Sequence, residues 1–330
     1  MQITSILDII DGKLLNSPSI SFIYSFKTKV SKVKEGDLFI AYNLEDIQLA
    51  IQKGAFAIIV ENMCPITDNE IAWIKVNKLE SCIIKLIRYK LALFNLESFY
   101  CNNIVNNFLR ALFPVTSKKI IVIPKKLSHF ISLLDDIDNK TILFSNNNEV
   151  LDKIYPNYKN FNNEHLEVSN LIEHSLFEVS FSFKDKYFQR VRIPSIYIED
   201  FIRVYNYLNI SAFDDTKLKN LDLFKTIFLD KNFNILEFGK TDKFIILSND
   251  FELLENEIIY LKSKFSYGKI IYITSSYNKY LPKEQIILKN LTELKNTFKN
   301  NFFNAAYIFG FEFNDVQQYI LKEEKEITLF

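Results

Sequence analysis

Glycine is scarce in this chain, with 6 residues in 330, and proline is scarce too, with 7. Phosphate loops, dinucleotide turns and oxyanion nests use glycine, because it adopts positive φ freely and lets the backbone approach a ligand closely. The shortage of glycine therefore argues against a site built on a glycine-rich loop.

Cysteine is also rare, and the three residues present are Cys64, Cys82 and Cys101. Their odd number and their spacing fit no disulfide framework, metal site or redox motif. Cys82 and Cys101 lie in a predicted helical stretch and are predicted to be buried thiols. Free thiols, and an N-terminus without a signal-peptide pattern, lead us to expect a cytoplasmic protein.

Neither an excess of one charge nor a long apolar run is present. Lys and Arg total 40, as do Asp and Glu, so the formal net charge is zero and no general attraction to nucleic acid follows. Short basic pairs such as Lys118-Lys119 are typical of solvated edges. No run of about 18 apolar residues occurs, so no membrane span is expected.

Apolar strand patterns alternate with helical patterns, which predicts an α/β fold of two or three domains. One predicted strand covers residues 19–26, and a helix predicted over about 44–53 is expected to end at Gly54. The pattern over residues 79–113 is helical and unusually long, and a break is expected near Asn95 or at Asn102-Asn103. A hairpin is predicted to turn at residues 184–186. From near Leu223 the alternation resumes as a doubly wound unit.

Two segments carry a family resemblance. Residues 32–41 read KVKEGDLFIA, and residues 50–61 read AIQKGAFAIIVE. They resemble the N-terminal domain of the Mur ligases, whose pattern there is approximately D-S-R-x-V-x-P-G-D-L-F-V-A followed by A-x-x-x-G-A-x-A-V-V-V-E. These are cytoplasmic ATP-dependent enzymes that add amino acids to UDP-N-acetylmuramoyl precursors of peptidoglycan, and the match is nearest to the member that adds D-Ala-D-Ala.

Weaker matches follow in family order to the end of the chain, so the resemblance implies a three-domain Mur-ligase-like α/β architecture. Residues 1–95 would form the N-terminal domain, which resembles a UDP-substrate-binding domain. Residues 96–222 would be a truncated central ATPase domain without its phosphate loop. Residues 223–330 would form a Rossmann-like, doubly wound C-terminal domain.

The sequence departs from the family where the family does its chemistry. The phosphate-loop position holds LESFYCNN at residues 96–103, with no glycine to wrap a phosphate and no lysine to meet its charge. Residues 113–139 are too few for the family's Mg-binding and catalytic-lysine segments. The C-terminal D-x-Y-N-A-N-P is replaced by SNDFE at residues 248–252. We therefore predict no catalytic residue, no metal and no cofactor, although ATP and Mg²⁺ would be the family's.

Six positions are substrate-binding candidates by their place in the family pattern: Lys29, Ser31, Asn43, Ser248, Asn249 and Asp250. The first two fall in the segment that would touch the uridine nucleotide, and the third begins a shortened loop. The last three end a strand where doubly wound sheets bind ligands. Residues 274–278 likewise follow a strand and could line a polar crevice or merely turn the chain. An ordinary helix cap at Asn249 or Asp250 is the favoured alternative.

Two further features have structural interpretations. A metal site around His165 and His174 is less favoured than a solvated polar connector. Trp73, between Ala72 and Ile74, is predicted to lie in the core.

Our hypothesis from the sequence is a non-catalytic Mur ligase homologue, a pseudoenzyme, with a binding or scaffolding role linked to peptidoglycan precursor synthesis. Its partner would be a cell-wall synthesis protein or a muramoyl nucleotide. One alternative is a reduced muramoyl-nucleotide-binding protein or ligase-like enzyme of cell-wall synthesis. Another is an unrelated α/β interaction module, because fold alone is a weak guide to function.

Overall fold

The computed structural model describes residues 1–161, 164–210, 213–221 and 223–322. The chain divides into two compact units, Met1–Asn163 and Glu164–Phe330, and each contains two β-sheets. The division into domains at residues 1–95, 96–222 and 223–330 stays a prediction.

The first sheet of unit Met1–Asn163 has the order β1-β5-β4-β3-β2, with only β1 antiparallel. Its elements are α1 (Ile3–Ile10), β1 (Lys13–Leu14), β2 (Phe26–Lys27), β3 (Leu38–Ile40), α2 (Asp46–Gln52), β4 (Ala57–Val60), β5 (Ala72–Lys75) and α3 (Leu79–Leu91). The inner strands are apolar and buried on both faces, as parallel sheets require. Gly54 has a φ of 86° just after α2, so the predicted glycine stop is confirmed.

The predicted strand at residues 19–26 is mostly wrong. Phe22 makes a single bridge to Gln2, and regular pairing begins only at Phe26. The apolar content of this segment alone suggested a strand. In the sheet, however, the chain pairs with β3 over two residues only, Phe26 and Lys27.

The second sheet of this unit is wholly parallel, in the order β7-β8-β6-β9. Its elements are β6 (Glu97–Tyr100), α4 (Asn103–Leu112), β7 (Ile120–Val122), α5 (Leu127–Ile131), β8 (Ile142–Ser145), α6 (Asn148–Ile154) and β9 (Lys159–Asn160). The helix predicted over residues 79–113 is therefore two helices with a central strand, β6, between them. Partners from residues 142–145 and 159–160 fix β6 as a strand, and no local pattern reveals them.

Unit Glu164–Phe330 begins with an antiparallel sheet, β10-β11-β12. Its elements are β10 (Ser169–Ser175), β11 (Glu178–Phe183), β12 (Lys186–Val191) and α7 (Ile198–Leu208). The predicted hairpin at residues 184–186 is confirmed. The polar connector predicted around His174 is wrong over β10, which is exposed along its length and is held by pairing to β11.

The second sheet of this unit has six strands in the order β14-β13-β15-β18-β16-β17. Its elements are β13 (Lys225–Leu229), β14 (Ile235–Leu236), β15 (Phe244–Ser248), α8 (Leu254–Lys264), β16 (Ile270–Thr274), β17 (Ile286–Ile287), α9 (Leu294–Asn300), β18 (Ala305–Phe309) and α10 (Phe313–Lys322). Strands β15, β18, β16 and β17 are parallel. The predicted doubly wound sheet is confirmed.

Helices cover both faces of this sheet. Ile308 packs in one cluster with Phe298 of α9 and Val316 of α10, whereas the neighbouring Tyr307 points to the opposite face and reaches Glu257 of α8. Strands β15 and β18 are adjacent, and the helices that follow them leave to opposite faces. A crevice outside the carboxyl ends of such strands is the usual ligand position in an open α/β sheet.

Candidate functional site

The position of the absent phosphate loop is a short turn between β6 and α4. Only Cys101 and Asn102 separate the strand from the helix. The Cys101 N–H donates to the Ser145 carbonyl at 2.9 Å, which ties the turn to the neighbouring strand β8. The turn is therefore a direct strand-to-helix connection.

The first turn of α4 is capped by its own chain. The Asn102 side chain accepts a hydrogen bond from the Val105 N–H at 2.8 Å, and the Asn102 carbonyl accepts from the Asn106 N–H at 3.0 Å. The Asn146 side chain donates to Asn103 Oδ1 from across the turn. A phosphate loop cradles its ligand with backbone N–H groups at a helix start, and here the N–H groups of Cys101 and Val105 already have protein acceptors. With neither glycine nor lysine at the turn, these residues do not fit a nucleotide triphosphate.

We expect the Asn102→Ala variant to be less stable by about 1 kcal/mol, because an uncapped N–H group is left at the helix start. Urea unfolding followed by circular dichroism measures the change. The Asn102→Ser variant retains a capping oxygen and should stay close to wild type. Equal stability of the alanine and serine variants would contradict the capping role.

The three N-terminal candidates lie at the carboxyl edge of the first sheet. Lys29 follows β2 and Asn43 follows β3, and these strands are parallel neighbours. Ser31 lies in a 3-10 turn at Val30–Lys32, and its carbonyl accepts from Lys53 Nζ at 3.4 Å. All three are exposed. The structure thus brings Lys29 and Asn43 to one edge, without a hydrogen bond that links them among the described residues.

Part of this edge is covered by α5 and the turn after it, which connect β7 to β8 of the second sheet in the same unit. Thr28 donates to the Ser128 carbonyl at 2.7 Å, and Lys27 forms an ion pair with Asp135 at 2.5 Å. Burial raises the pKa of Asp135, but the hydrogen bonds from Lys27 and Ser25 outweigh burial and lower it overall. Residues of this chain therefore already form contacts at the edge that the resemblance assigns to a uridine nucleotide.

The three C-terminal candidates lie together at the end of β15. Ser248 is its last residue. Asn249 bridges to the turn after β18: its Oδ1 accepts from the Gly310 N–H at 3.0 Å, and its Nδ2 donates to the Phe311 carbonyl at 3.1 Å. The cap interpretation is wrong for Asn249. Asp250 Oδ1 accepts from the Glu252 N–H at 2.9 Å and so caps the turn that leads into α8, although α8 itself begins at Leu254 without a side-chain cap. Asn249 instead joins the ends of two adjacent parallel strands.

A cavity of about 530 Å³ opens where β15, β18 and β16 end. Asn249 and the turn at Gly310 form one wall, and residues 274–280 form the other. Gly310 has a φ of 85°, and a Cβ there would lie 2.3 Å from Ser275 Oγ, so only glycine lets the two walls approach this closely. Sequence reasoning placed a possible polar crevice at residues 274–278 but did not foresee the bridging role of Asn249.

A buried carboxylate lies next to this edge of the sheet. Glu257 of α8 is 1% exposed and accepts hydrogen bonds from Tyr197 and Tyr307, each at 2.5 Å. Burial raises the pKa of Glu257 above its ordinary value of 4.5, although hydrogen bonds from the two tyrosines and from Ser248 oppose the rise. This cluster holds the end of β15, the middle of β18 and the segment before α7 together. No local sequence pattern reveals this cluster, because Glu257 is 60 residues from Tyr197 and 50 residues from Tyr307.

The other sequence candidates have structural roles. His165 Nδ1 lies 2.9 Å from Glu199 Oε1, and His174 Nε2 lies 2.7 Å from Ser180 Oγ. No cluster of three or more His, Cys, Asp or Glu side chains within the described ranges is arranged to hold a metal ion. Cys82 and Cys101 are buried as predicted, and burial raises the pKa of each thiol to about 12.

Among the residues that the structure describes, no helix combines the length and the apolar character that crossing a bilayer requires.

Comparison with known proteins gives a match in structure and none in sequence. No protein-family model and no curated protein matches the chain. The UDP-N-acetylmuramoylalanyl-D-glutamyl-2,6-diaminopimelate–D-alanyl-D-alanyl ligase of Acinetobacter baumannii superposes with a TM-score of 0.53 at 9% identity, over 98% of both chains. The MurF ligase of Thermotoga maritima, solved in complex with ADP, gives 0.53 at 14% identity, over 91% of this chain and 98% of the other. These matches establish a fold, and the fold of this chain is that of the Mur ligases.

Proposed function

We propose that this protein is a non-catalytic Mur ligase homologue that binds a ligand or partner in peptidoglycan precursor synthesis. The observation that supports this most directly is the turn between β6 and α4. Its two residues, Cys101 and Asn102, leave no room for a loop, and the N–H groups of Cys101 and Val105 donate to protein oxygens.

Phosphoryl transfer depends on groups that this turn lacks. An acyl-phosphate ligase must hold a triphosphate with backbone N–H groups, a lysine and Mg²⁺ while negative charge moves between oxygens. At this turn a triphosphate would have to break the bond from Cys101 to Ser145 and displace the Asn102 cap. Breaking these hydrogen bonds costs free energy before any charge on the triphosphate is neutralised.

The link to peptidoglycan rests on the fold and on the resemblance at residues 32–61. The matched structure of Acinetobacter baumannii is named as a ligase of a UDP-N-acetylmuramoyl compound and that of Thermotoga maritima as a MurF ligase, and this chain spans nearly all of each. We extend this likeness in fold to function. The chain would have a binding role in the same cytoplasmic pathway, beside a cell-wall synthesis protein.

Titration calorimetry with ATP and with ADP, each with and without Mg²⁺, tests the proposal. We expect no heat of binding at concentrations where the Thermotoga maritima ligase, the positive control, binds ADP. Micromolar affinity of this chain for either nucleotide would overturn the non-catalytic assignment. The experiment uses the full chain, since the two units have not been separated.

A second candidate function is binding of a muramoyl nucleotide through unit Met1–Asn163. The exposure of Lys29 and Asn43 at one sheet edge favours it, whereas the contacts of Thr28 and Lys27 with α5 and the turn after it reduce the space there. Calorimetry with a UDP-N-acetylmuramoyl peptide separates the two, using Lys29→Ala as the diagnostic variant. Binding that is weaker in Lys29→Ala than in the wild type supports this candidate. Absence of a heat of binding in the wild type rules it out.

A further inference from the structure

The crevice at the carboxyl ends of β15, β18 and β16 has a rim of exposed aromatic rings. Phe251, Tyr277 and Tyr280 are 66%, 67% and 49% exposed. Phe251 is fixed edge-on against Phe309 of β18, with ring centroids 4.7 Å apart. Large apolar rings gathered around a concavity are unusual on a protein surface without a ligand to cover them.

The crevice lining contains an amide side chain that its own loop holds in place. Asn278 is 8% exposed. Its Oδ1 accepts from the Tyr280 N–H at 2.9 Å, and Gln285 holds its backbone through two hydrogen bonds of 2.8 Å. Asn278 lines the crevice, where its Nδ2 group can donate a hydrogen bond to a bound ligand.

The hydroxyl groups of the same loop add further hydrogen-bonding capacity. Ser275 and Ser276 line the crevice beside Asn278. The Thr274 hydroxyl donates to the Ser276 carbonyl at 2.7 Å, which fixes the start of the loop. Hydroxyls both donate and accept, so the floor suits a ligand with many hydroxyl or amide groups.

The charges around the crevice disfavour an anion. Its lining contains one cation, Lys279, and one anion, Glu312. Lys279 Nζ lies 4.9 Å from the centre of the Tyr280 ring, a cation–π contact at the rim. Acidic residues also occupy the first turns of the flanking helices, Glu255 in α8 and Asp315 in α10, where they already offset the helix dipoles. The crevice therefore favours a neutral ligand over an anionic one.

We propose that this crevice binds a neutral sugar ring, with Tyr277 and Tyr280 against its apolar faces and Asn278, Ser275 and Ser276 bonded to its hydroxyl or amide groups. A sugar ring combines a flat C–H surface with many donors and acceptors, which is the combination of aromatic rim and polar floor seen here. A volume of about 530 Å³ lies within the range of small-molecule sites and suits one or two rings. The inference rests on the proposed function and names the class of ligand for it.

The test uses N,N′-diacetylchitobiose, a neutral disaccharide, with calorimetry and saturation-transfer NMR on the full chain. We expect binding to the wild type and at least a tenfold loss of affinity in Tyr277→Ala, because the stacking surface is removed. Tyr277→Phe keeps the ring and should keep the affinity. The matched control is Tyr267→Ala, whose side chain is 81% exposed in the same unit but precedes β16, at the opposite edge of the sheet.

Three outcomes would overturn the sugar site: no binding to the wild type, equal binding to Tyr277→Ala, or equal loss in Tyr267→Ala. Glucuronate, a sugar with a carboxylate, should bind more weakly than glucose, and tighter binding of glucuronate would also contradict the proposal. These results are independent of nucleotide binding. Micromolar affinity for ATP together with sugar binding would reject only the non-catalytic assignment. Absence of binding for both ATP and the sugar would reject only the sugar site.

Discussion

We expect the Glu257→Ala variant to lose about 2–4 kcal/mol of unfolding free energy. The substitution leaves the hydroxyls of Tyr197 and Tyr307, both almost wholly buried, without their acceptor, and each unsatisfied buried group costs about 1–3 kcal/mol. Removal of a desolvated carboxylate offsets part of this loss. Urea unfolding of the full chain, followed by circular dichroism, measures the difference from wild type.

The control for this variant is Glu255→Ala, which removes an exposed carboxylate from the same helix and should change stability by no more than about 0.5 kcal/mol. A second check uses pH. The folded-state pKa of Glu257 is raised, so its contribution to stability is fully present below about 4.5 and is lost as pH rises through the folded pKa. The wild type should therefore lose stability relative to Glu257→Gln as pH rises, and a constant difference would contradict this.

We expect Trp73→Ala to destabilise the chain by about 3–5 kcal/mol, the usual cost of deleting a fully buried aromatic side chain. Trp73 is 0% exposed in β5, and its Nε1–H donates to the Asp68 carbonyl at 2.7 Å. The indole packs in a cluster with Phe39 and Ile58 of the neighbouring strands. Both the apolar contacts and the hydrogen bond are lost in the variant.

Circular dichroism is the appropriate probe for this variant, because Trp73 is the only tryptophan and its fluorescence disappears with it. Trp73→Phe keeps an aromatic ring and should lose about 1–2 kcal/mol, mostly through the hydrogen bond and the smaller volume. Leu93→Ala, at a side chain that is 59% exposed, is the surface control. A Trp73→Ala variant as stable as Leu93→Ala would contradict the core assignment.

The sequence predicted elements whose apolar pattern is local. The alternation of strands and helices from Phe244 to Phe309, the glycine stop at Gly54 and the burial of Trp73 are all found in the structure. Each depends on residues close together in the chain. Periodicity and composition contain enough information for such features.

Features that depend on distant partners were missed. Strand β6 is read locally as helix, because Phe99 and its neighbours continue the apolar spacing of α3, and only β8 and β9 make it a strand. The hydrogen bond between Asn249 and Gly310 joins residues that are 61 positions apart in the chain. The sequence around Asn249 looks the same whether this residue begins a helix or joins the ends of two strands. The crevice edge was predicted because strand ends are local, but its aromatic rim arises when separate loops meet.

The short turn between β6 and α4 also sets what a nucleotide site at this position would require. Substitution alone cannot build a phosphate loop from the two connecting residues, Cys101 and Asn102, so an insertion is required. An insertion there would disturb the bond to Ser145 and the helix cap before glycine, lysine and metal ligands are all in place. Each intermediate would therefore lose stability before it gained a ligand.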